Sequence, residues 1–261
     1  MRILAVGDVV GECGCDFLLK ALPRLKREKN IDFCIVNGEN SAVGNGITPF
    51  SAQRIFSAGA DVITTGNHVF RKKEVFDFLD ENEFIVRPAN LNWQPYGKGY
   101  VTVDLGRTSV TVVNIMGNAY NENIDSPFDT IDKILEKIKE EKNIIVDLHA
   151  EATGEKRALG FYLDGKISAI FGTHTHVQTS DETILPLGTG YITDVGMTGA
   201  EVSCLGVKSR CVIEKLRTNE NIKFEQETGD ALMGGCIFEL DSSGKTVSVE
   251  RILIKEKERN R

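Results

Sequence analysis

"RILAVGDVVG", residues 2–11, runs from apolar residues straight into an aspartate held between a glycine and two valines. An apolar run that short, closed by a turn signal, reads as a strand buried on both faces. "FLLKALPRLKREKN" (17–30) then reads as an amphipathic helix with cations in its last turn, Pro23 notwithstanding. The pairing recurs. "DFCIVNGEN" (32–40) precedes a helix over "TPFSAQRIFSAGA" (48–60), which Thr48 can cap with Pro49 at its first position. "DVITTGNH" (61–68) precedes a helix over "RKKEVFDFLDEN" (71–82). Strands alternating with helices predict an α/β chain.

Further along, "GYVTVDLG" (99–106) and "TSVTVVNIMG" (108–117) predict a hairpin turning near Gly106. Apolar residues at helical spacing in "SPFDTIDKILEKIKEEKN" (126–143), with Ser126 as cap, predict another helix. "IIVDLHAE" (144–151), "KISAIFGTHTH" (166–176) and "GYITDVGMTG" (190–199) read as further buried strands. The segments 222–227, 231–241 and 246–254 alternate like antiparallel strands with one solvated face. No repeat or long linker interrupts the pattern, so a single domain over residues 1–261 is predicted, with two sheets layered between helices.

Composition narrows the function classes. The 261 residues are 41% hydrophobic and 26% charged, as in ordinary globular proteins. A net charge of −7 provides no broad basic field, so no stable nucleic-acid partner is expected. The first apolar run is too short for a signal peptide and no run reaches membrane length, which argues against a membrane partner. Six cysteines without C-x-x-C spacing predict reduced thiols in a cytoplasmic protein. A homo-oligomer is compatible with these totals.

Five of the predicted buried strands end in a polar cluster: Asp8, then Glu39-Asn40, Asn67-His68, His149 with Glu151, and finally His174 and His176. Ligands in open α/β sheets bind outside the carboxyl ends of the strands, so these clusters are expected to converge. All four histidines of the chain belong to the set. Histidine, carboxylate and amide oxygen together suit Mn, Fe or Zn. At an extended strand end, residues i and i+2 point the same way, so His174 and His176 can reach one site or two adjacent ones. Glu39 has two oxygens and can bridge two ions. Gly7, Gly38, Gly66 and Gly172, just before the clusters, are expected to let the backbone turn tightly. No G-x-G-x-x-G or G-x-S-x-G stretch supports a dinucleotide site or a serine hydrolase.

These residues resemble the calcineurin-like metallophosphoesterases, whose blocks are of the type G-D, G-N-H and G-H-x-H. Three departures narrow the likeness: Val10 replaces the usual histidine of the first block, Glu39 an aspartate, and Val69 an acidic residue. With "GDVVG", "NGENSAVGNGIT", "TTGNHVF", "DLHAEATGEK", "GTHTHVQTSDE" and "YITDVGMTG", the chain is similar to the bacterial YmdB family over almost its whole length. Cys13, Cys15 and Ala200 stand where that family usually has proline, arginine and proline.

The resemblance implies a layered αββα metallophosphoesterase-type fold with two mixed sheets flanked by helices. It implies a phosphodiesterase holding two ions, Fe or Mn with Zn as an alternative, and acting on cyclic nucleotides. The 2′,3′-cyclic nucleotides would be opened to 3′-nucleotides. Carried over by motif, Asp8, Glu39 and His176 would hold one ion, with Asn40 beside it, and Glu39, Asn67, His149 and His174 the other. A metal-bridging hydroxide would attack, and His68 would be the general acid for the leaving oxygen. The same residues leave open a broader phosphodiesterase or phosphomonoesterase, and a regulatory protein that senses nucleotides without turnover.

Overall fold

The computed structural model describes residues 1–91, 95–121 and 123–257. Two sheets face each other and helices cover both outer faces. In the first sheet, strand Arg2–Val6 lies between Ala231–Leu240, antiparallel to it, and Phe33–Asn37, parallel to it. Val62–Thr64 and Ile85–Val86 continue the parallel half. Asp8–Val9, Met197–Ala200 and Thr246–Lys255 complete the other half. The second sheet has a parallel centre of Gly190–Ile192, Ala169–Thr173, Ile144–His149 and Ser109–Met116. Antiparallel strands Thr183–Ile184 and Tyr100–Asp104 form its edges. The expected αββα layering with two mixed sheets is the observed architecture.

The period of two along each strand builds the layers. Ile3 and Ala5 enter the core between the sheets with Phe33, Ile35, Val112, Ile145 and Phe171. Their neighbours Leu4 and Val6 point the other way, onto Phe17, Leu18 and Leu22 of helix Gly11–Glu28 and Ile55 of helix Pro49–Ala58. In the second sheet, Val113, Ile115 and Val146 meet Ile131 and Ile134 of helix Pro127–Lys137 and Leu159 and Leu163 of helix Thr153–Leu163. Apolar demand on both faces explains why these strands lack polar alternation.

Local signals place the helix starts. Thr48 accepts from the Ser51 N–H while the Ser51 side chain accepts from the Thr48 N–H, a reciprocal cap, and Ser126 accepts from Asp129. The hairpin turns at Gly106, whose φ of 84° suits glycine.

Several local expectations change, among them the strand expected over 190–199, which is two, Gly190–Ile192 in the second sheet and Met197–Ala200 in the first. The first helix already begins at Gly11 and takes in Cys13 and Cys15. The stretch 71–82 is split into a 3₁₀ turn, Val69–Arg71, and a short helix, Val75–Glu81. Residues 222–227 form only a single bridge, Gln226 to Val207, because this segment packs no apolar face onto the sheet. Helices Thr153–Leu163 and Ser209–Thr218 were not apparent in the sequence pattern. Gly160 weakens the first as a helix in isolation, yet a Cβ there would lie 2.6 Å from the Tyr191 ring, so close packing requires the glycine. The second buries only Cys211. All six cysteines are free. Among the described residues, no helix is long and apolar enough to cross a membrane.

Candidate metal centre

The carboxyl ends of the parallel strands of both sheets meet at one edge of the sandwich, where a buried polar seam joins them. Asp147, within the otherwise apolar strand Ile144–His149, accepts from Asn37 Nδ2 at 3.0 Å, from Thr173 Oγ1 at 2.7 Å, and from the Thr64 hydroxyl. Asn114 Oδ1 accepts from the Thr65 N–H at 3.2 Å. Burial pushes Asp147 up to about 6 despite these donors. A carboxylate only accepts, so the Thr173 hydroxyl spends its proton on Asp147 and its oxygen faces His149 Nδ1 at 2.9 Å. That contact holds a proton on Nδ1 and turns His149 Nε2 to the site, the orientation a metal-binding imidazole needs.

All eight predicted residues lie in one network around that nitrogen. His149 Nε2 is 3.0 Å from Asn67 Oδ1, 3.0 Å from His174 Nδ1 and 3.3 Å from Glu39 Oε1. Ligand atoms of Glu39, His149 and His174 all lie within 4.8 Å of one another. His176 Nε2 lies 3.2 Å from Asn40 Nδ2 and 3.6 Å from Asp8 Oδ1. Asn40 Nδ2 also donates to Glu39 Oε1 at 2.8 Å, which links the two groups. His68 stands between them, its Nδ1 3.2 Å from Glu39 Oε1 and 3.1 Å from Asn40 Oδ1. Asp8, Glu39 and His149 form a buried floor, and Asn67, His68, His174 and His176 a partly open rim.

The donor set fits metal ions. Asp8 Oδ1 is buried without a hydrogen-bond partner, and such an atom is costly unless a cation meets it. Two ring nitrogens facing each other at 3.0 Å likewise need a proton or a cation between them. In the protein alone, protons take that role. Burial opposes charge on His149, yet Glu39 outweighs it and raises the ring to about 9. Burial and the charged His149 push His174 down to about 4. Burial acts to raise Glu39, but His149 and His68 hold its carboxyl well below the usual range. Nitrogen and oxygen donors of this mixture suit Mn, Fe or Zn.

Two geometric expectations are corrected. His174 and His176 do not converge by pointing the same way from an extended strand. Strand Ala169–Thr173 has ended, and both histidines are left-handed, with φ of 96° and 63°. Nor do the four glycines serve as tight turns, since none of Gly7, Gly38, Gly66 and Gly172 has a positive φ. They permit close approach instead: a Cβ on Gly66 would lie 2.3 Å from both Glu39 Oε2 and His149 Nε2.

The departures from the broad pattern also find their places. Val10 is 6% exposed and packs against Gly206, where a Cβ would lie 2.4 Å from it, so apolar contact replaces a ligand there. Val69 is fully buried in its 3₁₀ turn, and Ala200 pairs with Ala231 inside the sheet. The Cys15 thiol faces the Ser41 carbonyl, one residue past Asn40. Supporting groups surround the ligands, and of these Asp147, Thr173 and the Leu205 carbonyl escaped the sequence reading while Glu151 did not. Glu151 Oε2 lies 3.2 Å from His174 Nε2, and the Leu205 carbonyl 3.1 Å from His176 Nδ1. The signal for Asp147 was available, as a lone charge inside an apolar run; the signal for the Leu205 carbonyl was not. His176 also lines a cavity of about 340 Å³ with Val177, Met197, Leu205 and Arg251.

Comparison with known proteins gives the family and the fold. The family described as YmdB-like protein matches residues 4–252. The chain is 44% identical, over 98% of both lengths, to a 2′,3′-cyclic-nucleotide 2′-phosphodiesterase of Bacillus subtilis. It superposes with a TM-score of 0.92 on a hypothetical protein from Thermus thermophilus, 38% identical over 98% of this chain and 99% of that one. A putative 5′-nucleotidase from Staphylococcus aureus, 17% identical with a TM-score of 0.58 over 98% of this chain and 54% of its own, shares the fold. The chain belongs to the YmdB-like protein family.

Proposed function

We propose that this chain is a two-metal phosphodiesterase acting on cyclic nucleotides, opening 2′,3′-cyclic nucleotides to 3′-nucleotides. The observation that carries the reading is the buried floor of Asp8, Glu39 and His149, with Asp8 Oδ1 lacking a hydrogen-bond partner and His176 Nε2 no nearer than 3.6 Å. The named activity of the Bacillus subtilis relative supports the substrate. Asp8, Glu39 and His176, with Asn40 beside them, would hold one ion, and Glu39, Asn67, His149 and His174 the other. Iron or manganese, or else zinc, suits these donors. Such ions, when bound, lower the pKa of water toward ~7 and neutralise charge on phosphoryl oxygens.

The chain's own residues supply the rest. Two acceptors, Glu39 Oε1 and Asn40 Oδ1, hold a proton on His68 Nδ1, which leaves Nε2 as the ring atom that would pass a proton to a departing 2′-oxygen. The His68 side chain is 23% exposed, which leaves that edge within reach of a substrate. The cavity beside His176 has the size of a small-molecule site.

Manganese-loaded protein assayed on 2′,3′-cyclic AMP, 3′,5′-cyclic AMP and a nucleotide monoester, with elemental analysis of the same sample, tests the proposal. Preferred hydrolysis of the 2′,3′-cyclic substrate to 3′-AMP with two metals per chain is expected. Full activity with fewer than two metals would sink the two-ion reading. Binding without hydrolysis would make the chain a nucleotide sensor.

A further inference from the structure

Two charged residues in the most specific sequence blocks have no place among the proposed ligands: Lys156 of "DLHAEATGEK" and Asp194 of "YITDVGMTG". They meet beneath the histidine loop. Lys156, from helix Thr153–Leu163, donates to Asp194 Oδ2 at 2.7 Å, and both side chains are 1% exposed. A buried pair of this kind is weak evidence for stability, because desolvating both charges offsets most of their attraction. Its hydrogen bonds point to another use.

Those bonds grip the backbone on both sides of His174. Lys156 Nζ also donates to the Thr173 carbonyl at 2.8 Å. Asp194 Oδ2 also accepts from the Thr175 N–H at 3.2 Å and the Thr175 hydroxyl at 2.8 Å. Farther along, the Thr179 N–H reaches the Asp194 carbonyl at 3.0 Å, and the Asp194 N–H the Thr179 hydroxyl at 2.9 Å. The second oxygen, Oδ1, accepts from the Gly196 N–H at 2.8 Å, so the aspartate cannot swing away. Left-handed backbone is uncommon for residues other than glycine, and it persists only where the surroundings over-determine it. Between the clamped points Thr173, Thr175 and Thr179 lie the two left-handed histidines, His174 and His176.

We propose that the Lys156–Asp194 pair is a positioning device, holding the loop so that His174 and His176 present their ring nitrogens to the metal centre. The inference rests on the metal-centre reading above but not on the identity of the substrate. Without the pair, the loop relaxes toward ordinary backbone conformations and the two nitrogens leave their places beside His149 and Asp8. Partners of ligating residues commonly change metal affinity by about 10–100-fold.

The test is calorimetric titration of metal-stripped protein with manganese, together with its melting temperature. Removing one partner alone leaves a buried unpaired charge, so the variant is the neutral double substitution Lys156→Met with Asp194→Asn. A folded double variant whose manganese dissociation constant rises at least tenfold is the expected result. A folded variant that binds manganese as the unaltered protein does overturns the proposal and leaves the pair as packing alone. Where the double variant does not fold, Thr175→Val removes one bond to Asp194 at a partly exposed site. It is then expected to weaken manganese binding about threefold or more, and unchanged affinity again overturns the proposal. Unaltered protein that binds two manganese ions yet hydrolyses no cyclic nucleotide removes the phosphodiesterase reading and leaves this one standing, because the titration contains no substrate.

Discussion

The Thr173 hydroxyl faces His149 Nδ1 across 2.9 Å while donating to Asp147 at 2.7 Å, so one buried threonine sets which ring nitrogen of the histidine looks into the site. Thr173→Val keeps the shape and removes the relay. Manganese affinity is expected to fall roughly 10–100-fold. Calorimetric titration checks this, and an unchanged dissociation constant would show that the tautomer is held by other means.

His68 touches the carboxylate and amide of the site without belonging to the buried floor. His68→Ala is expected to retain two metals per chain and to lose about 10²–10⁴-fold in kcat on a 2′,3′-cyclic nucleotide, the range of general acid–base catalysis. An activated aryl phosphodiester needs little protonation of its leaving group and is expected to suffer less. Near-normal turnover of the cyclic nucleotide would remove His68 from the acid role.

Gly66 has no room for a side chain. In Gly66→Ala the new methyl would stand 2.3 Å from Glu39 Oε2 and His149 Nε2. Overpacking of this kind costs roughly 1–3 kcal/mol, and each kcal/mol corresponds to ~2–4 °C of melting temperature in a domain near this size. Loss of metal together with a lower melting temperature is expected. A variant that melts and binds manganese normally would mean the ligands can give way.

Without metal, the His149 ring is raised from 6.5 to about 9 by Glu39, against the opposing effect of burial. A raised histidine stabilises the fold fully below the unfolded value, and that contribution is lost as pH rises through about 9. Melts of EDTA-stripped protein between pH 6 and pH 9.5 are therefore expected to show a falling midpoint. Manganese-loaded protein is expected to lack this trend, since the ion replaces the proton. A flat profile in the stripped protein would mean that His149 is not charged there.

Much of the fold was legible because a strand buried on both faces must be apolar throughout, as in "RILAV" and "IIV", and such runs alternate here with capped helices. The candidate ligands were legible for a related reason. Asp8, Glu39, Asn67 and His149 stand where an apolar run stops, and a polar group at that boundary needs a partner. Helix Thr153–Leu163 was less legible, since its glycines argue against a helix until Tyr191 is seen packed on Gly160. Val10 could be recognised as a departure, but only its contact with Gly206 shows what it does instead.

By itself the sequence determined the apolar runs, the caps at Thr48 and Ser126, and the residue types available at the strand ends, because each follows from chemistry local to a few positions. The tertiary structure decided how those ends combine. Asp147 meets Thr173 from a neighbouring strand, Lys156 reaches Asp194 from a helix, and His174 and His176 take left-handed backbone that no spacing rule implies. A buried charge or a strained dihedral is tolerable only when groups distant in the chain arrive to satisfy it, and that arrival is a property of the packed sheets.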